Sequence, residues 1–163
     1  MQPGTLILGL GNPLRGDDGI GPSVVKELAH RNLPEEVTLI DGGTGGLDLL
    51  RLLERWKRVV IVDAADVGRD PGECVRFTPE EVRLVGASAP LSLHHAGLSE
   101  VLTLAEALDL HLPEMVIFGV QPAEIGWKEG LSPAVAATLS TLADAVLQEI
   151  EGEDCAEDTG DRG

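Results

Sequence analysis

Short, continuous apolar runs alternate along the chain with longer stretches in which apolar residues recur every three or four positions. Leu6-Ile7-Leu8, Val37 to Ile40, Val59-Val60-Ile61-Val62 and Met115 to Val120 are runs of the first kind. They are brief, aliphatic and mostly closed by glycine or aspartate, which predicts parallel strands buried on both faces. Ile20, Val24, Val25 and Leu28 instead follow helical spacing, as do Leu47, Leu50 and Leu53, the segment from Leu98 to about Leu108, and Val135, Leu139, Leu142, Val146 and Ile150. Cys74-Val75-Arg76-Phe77 alternates and predicts a shorter strand at an edge, with Thr78-Pro79-Glu80-Glu81 opening a brief helical turn. Strands that alternate with helices predict an α/β fold, a three-layer α/β/α sandwich around a mainly parallel twisted sheet of about five strands. The loops that follow the strands then gather along one sheet edge, where open α/β sheets hold their ligands.

Length and composition sharpen this picture. At 163 residues and 43% hydrophobic content the chain predicts one α/β domain, residues 1–150, with a sizeable core. Residues 151–163 carry six acids and one arginine, and are expected to be a disordered acidic tail. Twenty-eight acidic against 12 basic residues give a net charge of −16, which opposes approach to nucleic acid phosphates or an anionic membrane. With no tyrosine, two phenylalanines and two tryptophans, the core must be aliphatic and base-stacking platforms are missing. Cys74 and Cys155 are too far apart in sequence to suggest a metal site, and the opening MQPGTLILGLGN predicts neither a signal peptide nor a membrane span. The expectation is a cytoplasmic protein.

Candidate chemistry concentrates in the stretch from Thr5 to Gly21, TLILGLGNPLRGDDGIG, where Asp17 and Asp18 stand at a predicted helix start behind the first strand. One aspartate there suits an N-cap and the helix dipole. A second, in a glycine-bracketed loop at the carboxyl end of a strand, points to a ligand. A dinucleotide fingerprint fails, because Leu14 stands where the third glycine belongs and two carboxylates would repel a pyrophosphate. The second strand closes on Asp41-Gly42-Gly43-Thr44-Gly45-Gly46, a loop another backbone can approach, and the third on Asp63-Ala64-Ala65-Asp66. His94 and His95 sit in an aperiodic loop from Gly86 to Ala96. Asp18, Asp63 and His94 thus form a mixed oxygen and nitrogen set suited to nickel, zinc, iron or manganese.

Taken in order, Gly11-Asn12-Pro13-Leu14-Arg15-Gly16-Asp17-Asp18-Gly19-Ile20-Gly21, Asp41-Gly42-Gly43-Thr44, Val62-Asp63-Ala64 and His94-His95-Ala96-Gly97-Leu98 resemble the maturation endopeptidases of [NiFe] hydrogenases across nearly the whole chain. The resemblance implies an aspartic-type endopeptidase that removes a C-terminal extension from the hydrogenase large-subunit precursor. It implies that Asp18, Asp63 and His94 are the catalytic and metal-contacting residues, and that Gly42, Gly43 and Thr44 recognise the substrate. It further implies that nickel is carried by the precursor, is contacted only transiently and is not a tightly held cofactor. Some relatives have glutamate where Asp18 stands, one methylene longer, so Asp17 and His95 are alternatives to Asp18 and His94. The opening turn is also similar to that of peptidyl-tRNA hydrolases, a likeness that stops at Leu14 and sits poorly with the acidic charge. A metal-sensing binding module without enzymatic activity is the remaining alternative.

Overall fold

The structure is a computed structural model that describes residues 4–44, 46, 48–81, 92–93 and 96–160. Its sheet contains β1 (Thr5–Leu10), β2 (Val37–Gly43), β3 (Arg58–Asp66), β4 (Cys74–Phe77), β5 (Ser92–Leu93) and β6 (Glu114–Val120). The helices are α1 (Ile20–Leu28), α2 (Asp48–Glu54), α3 (Ala96–Ala107), α4 (Pro133–Ala136) and α5 (Leu139–Gly160). Strand order is β2-β1-β3-β6-β4, with β5 against β3. The first four strands of that order are parallel, whereas β4 runs antiparallel to β6 as an edge and β5 runs antiparallel to the end of β3.

Alternation within the apolar runs makes the layers. Ile7, Val60, Val62, Val116 and Phe118 face one side and meet Ile20, Val24 and Leu28 of α1 and Leu142, Val146 and Ile150 of α5. Leu6, Leu8, Val59, Ile61, Met115 and Ile117 face the other and meet Leu49 and Leu53 of α2 and Leu98 and Val101 of α3. Helices thus cover both faces of the parallel strands, as the continuous hydrophobicity of those strands requires. Each fully buried aliphatic side chain in these layers contributes about 1.5 to 3 kcal/mol of transfer free energy. Helix α1 crosses β1 at backbone contact: a Cβ on Gly21 would run into the Leu10 carbonyl.

Several elements depart from their sequence-predicted bounds. Strand β2 continues through Asp41 to Gly43, with a register shift that pairs Gly9 with Asp41 but Leu10 with Gly43. Strand β3 runs past Asp63 to Asp66, because Asp63 and Ala64 pair with β6 and Ala65 and Asp66 with β5. In α2 the buried leucines are Leu49 and Leu53, an i, i+4 pair, and Leu50 packs half-buried beside them, while Leu47 lies outside the described residues. Val135 belongs to α4 and not to the long last helix, since Pro133 starts a separate turn there. The helical backbone of α5 then reaches Gly160, through most of the segment expected to be disordered, although Glu151 and Gly152 are exposed and Ile150 is its last buried residue among those described. Among the described residues no helix is long and apolar enough to cross a membrane.

Candidate active site

The order β2-β1-β3 reverses the direction of sheet growth at β1, and the crevice beyond the carboxyl ends of β1 and β3 is where such sheets take ligands. Asp18 comes from the loop after β1 and Asp63 from β3 itself, so neighbouring strands deliver both carboxylates to this switch point. Asp63 is fully buried and Asp18 is 3% exposed. A carboxylate withdrawn from water is costly and persists only where hydrogen bonds, a proton or a cation compensate it.

Asp17 and Asp18 do not cap α1. They lie in a single 3-10 turn, Gly16–Gly19, that precedes it, and neither helical start carries a side-chain cap. The two side chains diverge. Asp18 reaches back and its Oδ2 accepts the Asn12 N–H at 2.9 Å, while Asn12 Oδ1 accepts the Leu14 N–H at 2.9 Å, which fixes the Asn-Pro turn. Asp17 reaches forward across the chain. Its oxygens accept N–H bonds from Ala123 at 2.8 Å, Glu124 at 3.1 Å and Ser132 at 2.7 Å, and the Ser132 hydroxyl at 2.8 Å. Burial pushes the Asp17 carboxyl up, but these four donors outweigh it and hold the group below the ordinary carboxylate value. Asp17 is therefore occupied as a clasp between the loop after β1 and the loop after β6.

That clasp is reinforced along the backbone, where the Gly16 N–H donates to Lys128 O at 2.6 Å and the Asp17 N–H to Glu124 O at 3.0 Å. The loops leave a small cleft of about 80 Å³ beside Gly16, Glu124, Lys128 and Ser132, well short of the several hundred Å³ typical of small-molecule pockets.

The glycine loop after β2 is tied to the same place, because the Gly11 N–H donates to Gly43 O at 2.7 Å and Asp41 Oδ1 accepts the Gly43 N–H at 3.0 Å. The two glycines differ. A Cβ on Gly42 would meet Leu8 and Leu10 at 2.7 and 2.9 Å, so Gly42 packs against β1. Gly43 has φ +59° with nothing within 4 Å of a Cβ position, and Thr44 is exposed, so these two face open space. His94 and His95 lie outside the described residues. Just before them, Leu93 of β5 pairs with Ala65 of β3, two residues beyond Asp63, and Ala96 begins α3. Among the described residues no three His, Cys, Asp or Glu side chains are grouped to hold a metal ion.

Comparison with known proteins identifies what this edge belongs to. A model of the hydrogenase maturation protease family matches residues 22–149. The chain belongs to that family. It is 35% identical over 145 residues to the hydrogenase expression/formation protein HupD of Bradyrhizobium diazoefficiens, covering 88% of this chain and 76% of that protein. It is 36% identical over 146 residues to HupD of Rhodobacter capsulatus, covering 88% of this chain and 70% of that one. Among solved structures, the hydrogenase maturating endopeptidase HybD from E. coli superposes with a TM-score of 0.78 at 31% identity, covering 94% of both chains. The [NiFe] hydrogenase maturation protease HybD from Thermococcus kodakarensis gives 0.70 at 30% identity, covering 90% of this chain and 97% of that one. The three-layer fold and the hydrolase class follow from this membership. In this member of the maturation protease family the loop 121–132 also closes the site, a part the sequence pattern does not reveal, since nothing local joins Asp17 to Ser132, 115 residues on.

Proposed function

We propose that this protease removes the C-terminal extension of a [NiFe] hydrogenase large-subunit precursor after nickel insertion, in the cytoplasm, and that it reads the nickel carried by the precursor. The observation that supports the reading is the burial of Asp18 and Asp63, one behind β1 and one near the carboxyl end of the adjacent β3, in a member of the maturation protease family. In this reading Asp18, Asp63 and His94 contact the nickel of the bound precursor. Gly43 and Thr44 meet the substrate backbone, and Gly42 shapes their loop. When the precursor is bound, its nickel would supply polarisation of the scissile carbonyl or acidification of the attacking water, and Asp18 and Asp63 would orient that water, which is the sense in which the enzyme would be aspartic-type. Three protein ligands leave coordination positions for groups of the precursor, so the free protease holds nickel weakly.

The test is to incubate the protein with nickel-loaded and nickel-free precursor and to weigh the products. The loaded precursor should lose its extension and the nickel-free one should not. Asp18→Asn keeps the side chain nearly isosteric, so it should leave folding intact and reduce cleavage at least 100-fold, the scale of losing one acid-base or charge-stabilising group. Cleavage of both precursors alike, or a normal rate for Asp18→Asn, would overturn the reading.

A further inference from the structure

Two of the three most exposed large apolar side chains in the described part of the molecule, Leu14 at 56% and Trp127 at 81%, sit on the two loops that Asp17 clasps together. Between them Arg15 lays its guanidinium over the Trp127 ring, 5.4 Å from the centroid, and bridges backbone to backbone with Lys128. Exposed tryptophan normally loses nothing by moving, yet this one is held from both sides: by its own loop, through the Asp17 and Gly16 bonds, and by the arginine on its face. A rigid, solvent-facing indole with an arginine stacked on it is the composition and the preorganisation of a binding anchor.

Its surroundings indicate what it holds. Arg15 and Lys128, like Lys26, Arg51, Arg55, Lys57 and Arg69, are in no ion pair among the described residues, so what sets Arg15 apart is its place over Trp127. Glu124 and Glu129 lie on the same loop, so the surface is not simply basic. The arginine stands out because stacking occupies its face and leaves its edge N–H donors to meet a planar acceptor, and a carboxylate fits that fork. Asp18 lies on the turn that follows Arg15, its N–H donating to Arg15 O at 3.4 Å, so this surface adjoins the segment that carries it.

We propose that Trp127, Arg15 and Leu14 form the docking platform for the hydrogenase precursor, and that it takes an apolar side chain with a carboxylate next to it, close to the bond that is cut. This rests on the function proposed above and adds the specificity surface to it.

Steady-state cleavage of nickel-loaded precursor, together with calorimetric binding of that precursor to the Asp18→Asn protein, tests the platform. Trp127→Ala should raise KM, and weaken binding in the Asp18→Asn background, by about 30-fold, the scale of a tryptophan hot spot, with kcat falling less than about twofold. Trp127→Phe should recover part of the loss. Arg15→Glu should weaken binding more than Arg15→Ala if a carboxylate is engaged. Leu108→Ala, which removes the third exposed apolar side chain beyond the far end of α3, should change neither constant. A wild-type KM for Trp127→Ala, or a loss in kcat alone, overturns the platform while the functional reading stands, provided wild type cuts and Asp18→Asn does not. Equal binding by Arg15→Glu and Arg15→Ala removes the carboxylate from the proposal. If the unsubstituted protein neither binds nor cuts the precursor, the functional reading fails and the platform with it.

Discussion

The two ends of the sheet handle buried charge in different ways. At the amino end of β3, Arg58 donates to the Glu149 carbonyl at 2.9 Å and to its carboxylate at 3.4 Å, and Arg76 of β4 adds two bonds at 2.8 and 2.6 Å. One acid from α5 is thus matched by two full positive charges. At the carboxyl end, Asp17 is 1% exposed and takes four hydrogen bonds from neutral donors alone. The first arrangement is an ionic staple that fastens a helix to the sheet. The second is a clasp that fixes loop geometry through neutral donors alone.

Removing the clasp should have the largest effect. Asp17→Ala takes the charged acceptor from three backbone N–H groups and a hydroxyl, and is expected to cost about 3 kcal/mol, since bonds to charged groups exceed neutral ones. Thermal unfolding should show a fall of about 10 °C for a domain of this size. Cleavage should fall beyond the stability effect, because Asp18 and the Trp127 loop lose their common support. A Tm within about 2 °C of wild type would mean the clasp does not bear on the fold.

Breaking the staple should matter less and differently. Glu149→Gln, on a side chain only 17% exposed, is expected to cost about 1 to 2 kcal/mol and to leave cleavage intact. Raising salt towards 1 M should shrink the stability difference between wild type and Glu149→Gln, but not that between wild type and Asp17→Ala, since only the first involves paired charges. A cleavage defect in Glu149→Gln would erase the functional distinction between the two ends.

Acid sharpens the same contrast. The Arg76 guanidinium, with Arg58 behind it, draws the Glu149 carboxyl down against its burial, and the four donors do the same for Asp17. Both folded-state values lie below the ordinary 4.5 and 3.8. Their stabilisation is therefore complete above those values and is lost as pH falls through the lower folded ones. Stability measured by urea unfolding from pH 6 downward should fall below about pH 4.5. The slope should be shallower in Glu149→Gln and in Asp17→Asn. Unchanged slopes in both would place the acid sensitivity elsewhere.

The smallest effect is expected from the end of the chain. Truncation after Gly152 removes helical backbone beyond Ile150, the last buried residue among those described, and should shift Tm by less than about 2 °C. A fall of more than about 5 °C would show that this segment packs on the domain.

The layers were legible in the sequence because burial on two faces leaves a direct trace. Val59 to Val62 and Met115 to Val120 have no polar face to offer, and their alternate residues divide between the two cores. The site was legible in part. Asp63 stands out as an acid that ends an apolar run, and Asp18 as one of two acids in the glycine-bracketed loop behind another. Gly43 stands out as a glycine, though only its φ of +59° separates it from Gly42, whose side is filled by Leu8 and Leu10. Where β3 ends was not legible, since its last residues are strand only because β5 and β6 are there to pair with them.

The sequence by itself therefore determined the alternation of strand and helix, the edge on which the chemistry gathers, and the family. These depend on local periodicity and on short motifs whose meaning is carried by neighbouring residues. Tertiary structure alone gave Asp17 and Asp18 different partners. The two are adjacent and chemically identical, and they part only because one oxygen pair finds Ala123, Glu124 and Ser132 while the other side chain turns back to Asn12. It likewise decided that Trp127 and Arg15, more than 100 residues apart, share one surface. Hydrogen bonds and ring contacts between distant segments leave no periodicity behind. They exist only once the sheet has brought two loops to the same edge.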